Sequence, residues 1–331
     1  FNHYMYSGGN TGYTAQFEKA FLLDNGLPWY ADENYYGKDD LIGDTKKNRD
    51  WHWQLFMKAP NDVKATANIA TPEKFPNAPR LYISDAKNAT STGYIQGKGH
   101  SMDYNDQLLG KDQTAFVVYR AAEAYLNYIE ASYLRKNTID EKADKYWRAL
   151  RKRAGVDENY NATIAATNME YEKDNDWGAY SHGQLLVDKT LYNIRRERRC
   201  EFIGEGFRYM DLIRWRAMDQ LNGYQLKGAK IFSEAMKPLF VDDEGKSLLL
   251  YDQADEAKNN VSSPSDGKYL LPSRKTSTNE YYNGFYFFEA HYLDPIAVQH
   301  FLITSPDGAS VEDSPIYQNP GWPIVAGAAC E

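Results

Sequence analysis

A mainly α fold, built from helical hairpins set among long irregular loops, is predicted by three features of the sequence. Between residues 114 and 221 apolar positions recur at helical spacing, in two pairs of runs. Outside that stretch no period is sustained, and Gly, Asn, Asp, Pro and aromatic residues dominate. Helix-boundary residues fall between the runs: Asp140 is placed to cap one, Gly155 to end it, and Gly204 and Gly206 to break the second pair.

Residues 1–113 read as loop with short helical or extended pieces. Residues 1–13 look like the middle of a domain, so upstream sequence is expected. Over 114–135, Phe116, Val117, Ala121, Ala124, Tyr125, Ile129 and Tyr133 form one stripe free of Gly and Pro, which predicts a helix. After a break at 136–138, a second helix is expected over 140–154, antiparallel to the first. Residues 156–182 read as polar loop, and 184–202 and 207–221 as a second helical pair. From residue 222 the chain is irregular again, with a strand expected at 247–251, an aromatic cluster at 281–288 and proline-punctuated final turns.

Composition narrows the function. The formal net charge of −8 argues against a binder that tracks nucleic-acid phosphates. No apolar run approaches the ~18 residues that span a bilayer. Cys200 and Cys330 stand far apart and form no C-x-x-C pair, so neither a metal knuckle nor a disulfide framework is expected. Neither H-E-x-x-H nor G-x-x-x-x-G-K occurs, and His3, His52, His100, His182, His291 and His300 lack ligand spacing, so no cofactor is expected. Gly99-His100-Ser101-Met102-Asp103 lacks the last glycine of a nucleophile elbow. Asp174-Asn175-Asp176 resembles the start of a calcium loop, with its Gly and distal Glu out of register. A glycoside hydrolase remains the competing enzyme reading, because 46 carboxylates would hide a catalytic pair. The ring inventory points elsewhere: 27 Tyr and 7 Trp against 14 Phe favour rings with a polar tip, suited to half-wet surfaces that stack on a ligand.

Residues 197–215 run E-R-R-C-E-F-I-G-E-G-F-R-Y-M-D-L-I-R-W. Arg198 and Glu201, Arg208 and Asp211, and Asp211 and Arg214 are three apart, close enough on a helix to pair. The glycines permit a turn that draws Glu205 and Arg208 inward. This segment resembles the signature of the SusD/RagB family. Y-R-A-A-E-A-Y-L-N-Y-I-E-A at 119–131 is similar to that family's tetratricopeptide helix, and R-K-R-A-G-V at 151–156 to the end of its partner. Y-L-D-P-I at 292–296 and Q-N-P-G-W at 318–322 resemble the family's ending, and N-G-L-P at 25–28 one of its loops. Cys200 stands where the family pattern expects an aliphatic residue and is read as a small buried hydrophobe.

The resemblance implies one domain of tetratricopeptide-like hairpins: a loop-rich, ligand-side segment at 1–113, hairpins at 114–221 and a wrapping tail at 222–331. It implies non-catalytic capture of glycans, or alternatively peptides, at the surface of the outer membrane for a SusC-like, TonB-dependent transporter. It also implies a lipid anchor on an amino-terminal part of the parent protein. Ring faces for stacking are expected from Trp29, Tyr30, Tyr35, Trp51 and Trp53, which crowd a polar, Gly-containing stretch. Asn48, Arg49 and Asp50 are expected to supply hydrogen bonds beside them, with Trp177 and Tyr180 as further candidates. Arg198, Glu201, Glu205, Arg208, Asp211, Arg214 and Trp215 are assigned to holding the fold.

Overall fold

The structure, a computed structural model, describes residues 11–81, 90–115, 117–325, 328 and 330. In chain order its helices are α1 (Ala15–Glu18), α2 (Trp51–Phe56), α3 (Ala121–Lys136), α4 (Glu141–Arg153), α5 (Tyr160–Ala166), α6 (Met169–Glu172), α7 (Lys189–Glu201), α8 (Arg208–Trp215) and α9 (Val298–Thr304). The short strands β1 (Met57–Lys58), β2 (Val63–Ala65), β3 (Glu73–Lys74), β4 (Ile95–Gln96), β5 (Tyr180–Ser181) and β6 (Leu185–Leu186) pair as β1–β4, β2–β3 and β5–β6, all antiparallel.

The first hairpin forms because both of its ends are capped. Asn137 closes α3 in the left-handed region (φ 55°), and the Asp140 carboxylate accepts from the Ala143 N–H to open α4. Gly155 (φ 66°) then turns the chain away. α4 folds back on α3, and α7 lies across both α3 and α5. Leu126, Ile129, Trp147, Leu150, Tyr160 and Ile194 fill the space between them. Each fully buried side chain of this size contributes roughly 1.5–3 kcal/mol. A second core, around Phe21, Trp53, Tyr94, Ile203, Ile231 and Phe240, ties the amino-terminal loops to the tail. A third, around Leu212, Trp215, Met218, Phe287 and Tyr292, fixes α8 to it.

Four sequence expectations are corrected. The α3 helix begins at Ala121 rather than 114, because Arg120 is extended (φ −152°) and its guanidinium is tied to Glu201 and Glu205. Val117 and Val118 are consequently exposed, and Phe116 lies outside the described residues. Residues 156–182 hold α5 and α6 as well as β5, since Tyr160 stacks on Trp147 at 4.2 Å. The second pair is shorter than expected: Asp188 caps α7, and Arg216 (φ 50°) ends α8 before a 3-10 turn at Met218–Leu221. No strand forms at 247–251. There only Ser247 bridges to Val241, and the Asn260 side chain accepts from the Leu250 N–H that a ladder would need.

Among the described residues no helix is long and apolar enough to cross a membrane.

Candidate ligand site

The crowded loop aromatics have different environments. Trp51 and Trp53 sit two positions apart on α2, so at 3.6 residues per turn they face opposite ways. Trp53 is fully buried against Tyr13, Phe21 and Tyr94, and its indole N–H donates to Thr45 Oγ1 at 3.1 Å. It offers no face to a ligand. Arg49 and Asp50 are buried too. Arg49 donates to the Phe21 carbonyl at 2.8 Å and to Glu18, while Asp50 caps α2 by accepting from the His52 N–H at 2.8 Å. Both hold the loop rather than reach into solvent.

Trp51 is 52% exposed. Its backbone N–H donates to the Ala154 carbonyl at 2.8 Å. One face of its indole lies directly on Gly155, where a Cβ would sit 2.3 Å from the ring. The ring is therefore held from one side and left open on the other. It borders a cleft of about 290 Å³ with apolar walls from Leu55, Phe56 and Val117. Lys98, Arg120, Arg153 and His52 bring positive charge to the cleft, and Glu201 and Glu205 bring negative charge.

These charges interlock. Arg120 Nε donates to Glu205 at 2.8 Å, its Nη2 donates to the Glu201 carbonyl at 2.6 Å, and its Nη1 meets the Glu201 carboxylate. Arg153 also donates to Glu201, and Lys98 to Glu205. His52 bridges Asp50, at 2.7 Å, and Glu201, at 3.4 Å. Burial opposes a charged imidazole, but hydrogen bonds to Asp50 and Glu201 outweigh it and push His52 up to about 9. Burial likewise opposes ionisation of Glu201, yet the His52 and Arg120 contacts hold it down at about 2.

Trp29 and Tyr30 belong to a separate surface wall. Tyr36 stacks on Trp29 at 5.4 Å, Tyr171 of α6 stacks on Tyr30 at 4.8 Å, and a hydrogen bond links Tyr171 to Tyr36. The Lys19 ammonium covers Trp29 at 4.1 Å, and the Tyr30 hydroxyl donates to Glu172 at 2.8 Å. Tyr35 bonds the exposed Asn48 nearby. Trp177 and Tyr180 pack against the third core, with Trp177 edge-on to Tyr224 at 4.8 Å.

The segment 197–215 forms a brace of ion pairs in which Arg198, Glu201, Asp211 and Trp215 are buried. Arg198 Nε donates to both carboxylate oxygens of Asp211, at 2.9 and 2.8 Å, in place of the Glu201 partner that spacing suggested. Arg214 forks onto Glu130 at 3.0 and 2.6 Å and also reaches Asp211, and the Trp215 indole donates to Glu130 at 2.7 Å. Arg208 turns to Asp176 at 2.6 Å rather than to Asp211, and Arg199 joins it at 3.2 Å. The Asp176 carboxylate that suggested a calcium loop is thus occupied by two guanidinium groups. Cys200 is buried, and burial raises its thiol well above the ordinary range. A second cavity of about 290 Å³ opens beside this brace, lined by Arg198, Arg199, Arg208 and Asp211, whose charges are already paired with one another or with Asp176.

The model of the SusD family matches residues 2–322. This chain belongs to the SusD family. A crystal structure of a SusD-like protein from Bacteroides fragilis is similar over 96% of this chain and 50% of that one, with 18% identity and a TM-score of 0.55. A SusD-like carbohydrate binding protein from the same organism is similar over 86% of this chain and 45% of that one, with 19% identity and a TM-score of 0.46. The chain thus spans about half the length of either structure. No curated protein matches it. Its fold is the SusD-like one, mainly α with tetratricopeptide-like hairpins and long loops.

Sequence reasoning picked out Trp51 and assigned Glu201 and Glu205 to holding the fold, but it did not bring them together or name Lys98, Arg120 and Arg153 beside the ring. Lys98, Arg120, Arg153 and Glu201 lie far apart in the chain, and no spacing rule joins them. Tyr36 adjoins Tyr35 and was visible as part of the same run, whereas Tyr171 sits in a segment read as polar loop.

Proposed function

We propose that this SusD-family chain is a non-catalytic glycan-binding protein, and that the Trp51 cleft is where the sugar sits. The observation that carries the reading is an exposed indole fixed on Gly155, its open face bordering a cleft with hydrogen-bonding side chains at its walls. Sugar rings present apolar C–H faces that stack on such a ring, and hydroxyls that bond to Arg, Lys and Glu. The wall of Trp29, Tyr30, Tyr36 and Tyr171 is the secondary surface, because Lys19 and the neighbouring rings already cover its faces.

The pairing of Glu201 and Glu205 argues against the hydrolase reading. A glycosidase needs one carboxyl kept protonated as the general acid. Both acids here are held ionised: burial opposes this, but the contacts from His52 and Arg120 to Glu201, and from Arg120 and Lys98 to Glu205, prevail.

In the family context, we assign the parent protein to the cell surface, held at the outer membrane by a lipid anchor and handing its glycan to a SusC-like, TonB-dependent transporter. The test of the binding step is electrophoresis through gels containing candidate polysaccharides. Retardation that is lost in Trp51→Ala, with no reducing ends released on prolonged incubation, is the expected result. Released products, or retardation untouched by the substitution, would refute the assignment. Co-purification of the intact parent with a transporter tests the delivery step.

A further inference from the structure

We propose that the Trp51 cleft prefers glycans that carry carboxylates, with a uronic acid ring lying on the indole and its carboxylate turned toward Arg153 and Lys98. This rests on the reading above that the cleft binds a glycan at all. The argument is one of charge arranged in layers. Four cationic side chains, Lys98, Arg120, Arg153 and His52, share two carboxylates in the cleft, Glu201 and Glu205, with Asp50 behind His52 as a third. With His52 held protonated by its contacts to Asp50 and Glu201, one positive charge is left over, in a chain whose formal net charge is −8.

The two signs also lie at different depths. The Glu201 and Glu205 side chains are 5% and 10% exposed, against 53% for Arg153 and 19% for Lys98. A ligand entering from solvent therefore meets guanidinium and ammonium groups before it meets an acid. Both cations keep bonding capacity. Glu201 takes a single nitrogen of Arg153, and Glu205 takes one of the three protons of the Lys98 ammonium. Arg120, by contrast, is engaged through all three of its nitrogens by Glu201 and Glu205 and serves to position them. Beside the cations, Leu55, Phe56 and Val117 offer apolar walls on which the C–H faces of a sugar ring can rest. A neutral sugar would use the same ring and leave the surplus charge unanswered.

The experiment compares acidic polysaccharides of several backbones with their carboxyl-reduced counterparts, in which each uronate becomes a neutral hexose of unchanged linkage. Affinity gels are run with the full chain. The expected result is that at least one acidic polymer binds about tenfold more tightly than its reduced form at low salt. That advantage shrinks between about 50 and about 500 mM NaCl, where charge is screened. It also shrinks in Arg153→Gln and in Lys98→Gln, while Arg153→Lys retains most of it. Thermal unfolding of each variant confirms that it is folded. Equal retention of acidic and reduced forms, or an advantage indifferent to both glutamine substitutions, overturns the preference while leaving glycan binding intact. Retention of no polymer in either form overturns the glycan reading itself.

Discussion

Trp51 and Trp53 show how much two positions on one helical turn decide. Trp53 fills the second core, and Trp53→Ala leaves a cavity that is expected to cost about 3–5 kcal/mol, read as a lowered midpoint in urea unfolding. Trp51→Ala removes a ring already half in water, so its cost is expected to stay within about 1 kcal/mol while glycan retention is lost. His52 adds a pH signature. Its folded-state value of about 9 lies above its ordinary 6.5, so the stability it contributes is complete below pH 6.5 and fades as pH rises through 9. Glu201 has the opposite sign: held at about 2 rather than 4.5, it contributes above pH 4.5 and loses that contribution as pH falls through 2. Thermal unfolding followed from pH 6.5 to 9 should therefore show a steeper decline in the native chain than in His52→Gln. Parallel curves would show that His52 carries no such linkage.

At the scale of elements, α7 and α8 are held together by charge as much as by packing. Asp211 receives Arg198 from α7 and Arg214 from its own helix. Asp211→Ala leaves the buried Arg198 without a charged partner, with only the Asn127 side chain still accepting from it, and a loss of about 3–5 kcal/mol in denaturant unfolding is expected. The turn that ends α4 has a different vulnerability. Gly155 adopts φ 66° and its Cα supports the Trp51 ring, so Gly155→Ala both strains the backbone and pushes the indole away. We expect a loss of about 1 kcal/mol or more together with weakened glycan retention, a combination that calorimetry and affinity gels separate. The α3–α4 hairpin was legible because its caps and stripe are local. The start of α3 was not, because Arg120 is drawn out of the helix by acids 81 and 85 residues away. The helices α5 and α6, seven and four residues long, were too short to show a period, and they are anchored by partners remote in sequence, as Tyr160 by its stack on Trp147 and Thr163 by the Gly26 carbonyl.

Among the described residues, the three larger cores join segments remote in sequence. Amino-terminal loops pack with the tail, the hairpins pack with one another, and the end of α8 packs with residues near 290. Long loops keep their order because they lie on these cores and because buried ion pairs span them, as Arg49 with Glu18 and Lys19 with Asp39. The cleft itself exists only through this arrangement, as it takes residues from α2, the loop after β4, the end of α4 and the end of α7. The surplus of cations inside an acidic chain is a property of that assembly and invisible in the overall charge.

The sequence by itself determined the fold class, the first hairpin with the Asp140 cap and the Gly155 stop of its second helix, and the family, because helical periodicity and a contiguous motif are written in neighbouring residues. It also marked the aromatic loop from which the candidate ring comes. Only the tertiary structure decided that Trp51 faces a cleft while Trp53 faces a core, and that Arg120 leaves its helix to serve Glu201 and Glu205. The physical reason is that burial and charge pairing depend on which distant segments meet, and no local spacing carries that information.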